Sequence, residues 1–79
     1  RALTHSQLSP YERQGLSLVT RREMEVLALI ARGATNGEIA SHMSIAETTV
    51  KTHVSALMSK LAARDRVALV LLAHKAGIA

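Results

Sequence analysis

The sequence holds no cysteine, no tryptophan and no phenylalanine, and its 79 residues include one tyrosine and one proline. Each absence closes a route. Without cysteine there is neither a disulfide scaffold nor a thiolate zinc site, which fits a reducing compartment. Without large aromatics, the 48% apolar share must build its core from Leu, Ile, Val, Ala and Met. That favours packed helices over a sheet. No apolar run approaches the roughly 18 residues of a membrane span, and no signal-peptide pattern opens the chain. A cytoplasmic protein that stays off membranes is the expectation. The chain begins at Arg1 rather than Met, which reads as a fragment or a processed product. At this length it is one small domain with a single modest core.

Acidic residues are scarce in one part only. Up to residue 50, Arg1, Arg13, Arg21, Arg22 and Arg32 are balanced by Glu12, Glu23, Glu25, Glu38 and Glu47. Beyond it, Lys51, Lys60, Arg64, Arg66 and Lys75 face Asp65 alone, so this part carries the whole net charge of +4. A basic end fits a polyanionic partner, although solubility is a sufficient reason for it.

Residues 1–18, "RALTHSQLSPYERQGLSL", lack sustained apolar periodicity and read as a linker or N-terminal extension, with a short helical turn after Pro10. The ordered domain is expected over 19–79. Thr20 with Glu23, and Thr35 with Glu38, have the T-x-x-E spacing of a capping box, so each pair predicts a helix start. The first helix buries Val26, Leu27 and Ile30 and stops at Gly33, a residue suited to the left-handed position after a helix. The second is short and ends near Met43, and "SIA" (44–46) leaves room only for a tight turn. A long helix over 47–61 follows, then a last one capped by Asp65 and ending at Gly77. The fold class is all-α, a four-helix bundle-like domain containing a helix-turn-helix.

The long helix carries the functional signal. At about 100° per residue, Val50, Val54, Leu57, Met58 and Leu61 share one side. The opposite side holds Thr48, Thr52, Ser55 and Ser59, with Lys51 on its edge. An ordinary solvent-facing helix would alternate Glu and Lys there. In a helix-turn-helix the second helix enters a DNA major groove, which requires a leading face without bulk. Ser and Thr exchange hydrogen bonds with bases or phosphates, and Lys51 can reach a guanine edge or a phosphate oxygen. No acidic residue stands between Glu47 and Asp65 to repel a duplex.

In order along the chain, "VTRREMEVL", "GATNGEIA", "TVKTH", "KL" and Arg66 resemble the motifs of the LuxR/NarL-type DNA-binding domain, the C-terminal effector module of bacterial response regulators. The resemblance covers about residues 18 to 78 and implies a four-helix domain of a two-component transcriptional regulator that binds double-stranded DNA as a homodimer. It implies that Lys51, Thr52 and Ser55 address the groove, and the helix face read above adds Thr48 beside them. It places Thr35, Asn36, Thr49, His53 and Lys60 near phosphates. The final helix is implied as the dimer contact, with Val67, Val70, Leu71 and His74 as candidates. RNA polymerase stays open as a further partner. This chain departs from the pattern at three places. Ala46 stands where a capping Ser or Thr is usual, Val19 stands where Leu is common, and Thr52 and Ser55 are short, which points to sparse base readout supplemented by DNA shape or water.

Other functions have less to stand on. His5, His42, His53 and His74 include no pair at the i, i+4 spacing of a helical metal site, and no metal or cofactor is expected. The carboxylates are mostly taken by helix starts and there is no Gly-rich phosphate loop, so an enzyme is not expected. A single-stranded RNA binder would have Tyr11 alone to stack a base. The leading alternative is a helical protein-interaction module. "VALVLLA" in the last helix is more apolar than one small core requires, so the helix is either wholly buried or offers a stripe for a partner to cover.

Overall fold

The computed structural model describes residues 8–78, and its helices begin where side chains satisfy backbone N–H groups that a helix start leaves unpaired. Among the described residues there are five helices and no strand. They are α1 (Pro10–Ser17), α2 (Arg21–Ala31), α3 (Asn36–Met43), α4 (Glu47–Lys60) and α5 (Arg66–Lys75). The expected reciprocal boxes are formed. The Thr20 hydroxyl accepts from the Glu23 N–H while Glu23 accepts from the Thr20 N–H, and Thr35 and Glu38 do the same. Asp65 accepts from the Ala68 N–H at 2.9 Å and starts α5. Ala46 offers α4 no side-chain cap.

The helix α1 exceeds the short turn expected after Pro10. Its apolar periodicity is too weak to declare a helix, but Ser9 and Glu12 form a third capping box with Pro10 in the first turn. Residues 1–7 of the proposed linker lie outside the described residues.

Central to the fold is α2, against which both α4 and α5 pack, while α3 packs on α4. Val26, Leu27 and Ile30 of α2 meet Ile39 of α3, Val50, Val54 and Leu57 of α4, and Leu69, Leu72 and Ala73 of α5 in one aliphatic core. The helix α1 seats against the C-terminal end of α4. A Cβ on Gly15 would lie 2.7 Å from the Lys60 carbonyl oxygen, so only glycine allows this approach. An ion pair of 3.1 Å between Lys75 and Glu12 ties α1 to α5.

The turns that fix the helix directions use left-handed backbone. Gly33 ends α2 with φ 89° as expected, and Gly77 follows α5 with φ 76°. Ser44, at φ 57°, reverses the chain between α3 and α4, and the Ile45 N–H then donates to the Ala40 carbonyl at 3.0 Å. Ala40 is buried and small where the two helices cross. No helix of the described residues is long and apolar enough to cross a membrane.

Candidate nucleic-acid interface

The face of α4 that carries the site is set by what the other face buries. Val50, Val54 and Leu57 are buried in the core, with Leu61 just beyond the helix, and Met58 is half-buried beside them. The opposite face is thereby turned outward. Thr48, Lys51, Thr52, Ser55 and Ser59 are all exposed. The Thr52 hydroxyl donates to the Thr48 carbonyl one turn earlier at 3.1 Å, which keeps that side chain low against the helix. The result is a narrow ridge of hydroxyls with one ammonium and no carboxylate beyond the first residue of the helix.

The candidates fall into three groups in space. Lys51, Thr48, Thr52 and Ser55 share the ridge. Thr49 and His53, one turn apart, lie on its flank, exposed and half-buried respectively. Thr35 and Asn36 stand at the start of α3, whose first turn adjoins that of α4. A Cβ on Gly37 would come within 3.3 Å of the Glu47 carboxylate. The positive ends of the α3 and α4 dipoles therefore emerge near one another, with Thr35 exposed beside them.

Lys60 is placed differently. Nine residues beyond Lys51, it points to the far side of α4, and its Nζ donates to Glu23 Oε1 at 2.7 Å. Glu23 is 7% exposed and also accepts from the Thr20 N–H. The hydrogen bond from Lys60 is the main cause that holds the Glu23 carboxyl below its ordinary value, ahead of the opposing effect of burial and the help of Thr20. Lys60 thus closes α4 onto α2. It also lines a shallow groove of about 260 Å³ with Tyr11, Gln14, Gly15 and Leu18.

On α5, Val67 and Leu71 are 66% and 65% exposed, one turn apart, while Val70 is half-buried against the core. His74 is exposed, but its Nε2 lies 3.0 Å from the Ala31 carbonyl at the end of α2. Among the described residues no cluster of His, Asp and Glu could hold a metal ion, and His5 lies outside them.

One residue central to this geometry has a partner set that spacing could not reveal. Arg66, the first residue of α5, donates from Nη1 to Asn36 Oδ1 at 2.6 Å and from Nη2 to the Ala34 carbonyl at 2.7 Å. The partners are separated by about 30 residues and meet only because α5 and α3 converge.

A short helix, a left-handed turn and a longer helix with an acid-free outer ridge define a helix-turn-helix DNA-binding domain. The family described as "Bacterial regulatory proteins, luxR family" matches residues 16–73, and the chain belongs to it. It is 54% identical over 58 residues to the "Response regulator protein VraR" of Staphylococcus aureus, and equally to those of Staphylococcus saprophyticus and Staphylococcus epidermidis. These matches cover 73% of this chain and 28% of each relative, so the chain spans little more than a quarter of their length.

Proposed function

We propose that this domain reads double-stranded DNA sequence-specifically as the effector part of a response regulator, with α4 laid in the major groove. The observation that carries the reading is the outer face of α4, where Thr48, Lys51, Thr52, Ser55 and Ser59 stand exposed opposite a buried aliphatic face. Lys51, Thr52 and Ser55 address base edges, Thr48 supports them, and Thr35, Asn36, Thr49 and His53 approach the phosphates on either side. Lys60 stands apart from this contact, because its charge is met by Glu23 on the far side of α4.

Val67 and Leu71 form the centre of a contact between two copies through α5, with Val70 and His74 at its border. A two-fold dimer places two α4 ridges one helical turn of DNA apart, about 10 base pairs from centre to centre. Transcriptional output follows from operator occupancy, with RNA polymerase as the further partner.

Selection of bound duplexes from a random pool tests this reading. Enriched sequences with two related half-sites at that spacing, and affinity falling steeply with salt, are expected. A pool that stays unenriched, with duplex affinity low and flat in salt, would refute it. That outcome would favour the protein-interaction reading, for which the exposed pair Val67 and Leu71 is the working surface.

A further inference from the structure

The contact between Arg66 and Asn36 fixes more than the packing of two helices. A guanidinium has five N–H donors and no acceptor. An amide lying 2.6 Å from Nη1 must therefore present its oxygen to Arg66, since the opposite orientation would set donor against donor. With Oδ1 held inward, the two N–H bonds of Asn36 Nδ2 lie on the other side of the amide. The guanidinium has no freedom to follow a turned amide, because Nη2 is anchored 2.7 Å from the Ala34 carbonyl. Asn36 is half-buried at the first position of α3, beside the exposed Thr35 and at the positive end of the helix dipole.

We infer that Arg66 is a positioning residue for DNA binding: it locks the Asn36 side chain as a hydrogen-bond donor aimed at a phosphate oxygen of the duplex. This rests on the DNA-binding reading above. The role divides between two residues of different kind. Asn36 touches the phosphate, whereas Arg66 reaches it only through the amide. Because the two bonds of Arg66 go to the first side chain of α3 and to the loop before it, one group on α5 sets how the chain enters α3. A lysine could satisfy one of those acceptors but could not span both in a plane.

The test uses the selected operator duplex and a series of copies, each with one phosphate replaced by a neutral methylphosphonate. Wild type should lose about tenfold or more in affinity at one phosphate per half-site, as expected for a hydrogen bond to a charged group. Asn36→Ala and Arg66→Gln should each erase the sensitivity at that position while leaving the other positions unchanged. The double variant should erase no more than either alone. Asn36→Asp keeps the bond to Arg66 but turns an acceptor outward, so it should bind worse than Asn36→Ala. Arg66→Lys should restore part of the sensitivity, and it carries the test together with the Asn36 variants if Arg66→Gln fails to fold. Arg66 variants that lower the melting temperature and weaken binding uniformly, with the phosphate pattern intact, would overturn the inference and leave the DNA reading standing. Wild type without duplex affinity would overturn both.

Discussion

Two lysines on the same helix illustrate how position decides the work of a residue. Lys51 is exposed at the edge of the α4 ridge, whereas Lys60 is turned onto the buried Glu23. Lys51→Ala should weaken operator binding by about 1–3 kcal/mol, read by fluorescence anisotropy, with an unchanged thermal melt. Lys60→Met should do the reverse. It should lower stability by about 1–3 kcal/mol, since a carboxylate is left short of its charged partner, and should change the salt dependence of DNA binding little. Equal effects on binding from the two would show that Lys60 contacts phosphate after all. Glu23 and Glu12 also give stability a pH dependence of known sign. Both carboxyls are held below their ordinary value of 4.5, Glu23 chiefly by Lys60 and Glu12 chiefly by the Ser9 N–H. The folded state therefore binds their protons less readily than the unfolded chain, so their contribution is complete above that value. It is lost as the pH falls below 4.5 and through the depressed folded values. Urea titrations at a series of acidic pH values should show this loss, and Lys60→Met should flatten part of it.

Among the helices, the start of α4 is the weak point. Glu38 and Glu23 close boxes at α3 and α2, and Asp65 caps α5, but Ala46 has no side-chain oxygen to give the first N–H groups of α4. The backbone at Ala46 already has the extended geometry of a cap, with φ −71° and ψ 150°. Ala46→Ser should therefore stabilise the domain by about 1 kcal/mol without moving the helix. For a chain of this size that is about 4–8 °C in melting temperature, measurable by calorimetry. An unchanged melt would mean that the hydroxyl prefers water to the helix start. The helix α1 shows the limit of reading elements from periodicity. Its box, Ser9 with Glu12, was legible in the spacing, yet what holds it down is the approach of Gly15 to the Lys60 carbonyl and the ion pair to Lys75. Those partners are far away in sequence and leave no local pattern.

The whole molecule is organised so that α2 holds the outer helices, and two surfaces remain: the α4 ridge and the α5 pair Val67 and Leu71. If the second is a contact between copies, Leu71→Glu should leave the monomer folded, because the residue is 65% exposed. It should also reduce operator affinity and abolish any shift toward dimer on DNA in sedimentation experiments. Retained dimerisation on a two-half-site duplex would move the contact elsewhere. The apolar excess of the last helix was visible in composition, but which residues are surplus was not. Val70 is half-buried and His74, though exposed, lies against the end of α2, so the apolar exposure concentrates on Val67 and Leu71.

The starts of α2, α3 and α5 and the inward or outward sense of the α4 side chains were determined by the sequence itself, because capping spacings and a period of about 3.6 residues act over one or two turns of chain. The tertiary structure decided which charges are spent within the fold. Lys60 on Glu23, Lys75 on Glu12 and Arg66 on Asn36 join residues that no local rule brings together. Those pairings follow from helix crossings, and a crossing is settled only when the aliphatic sides of all the helices pack at once.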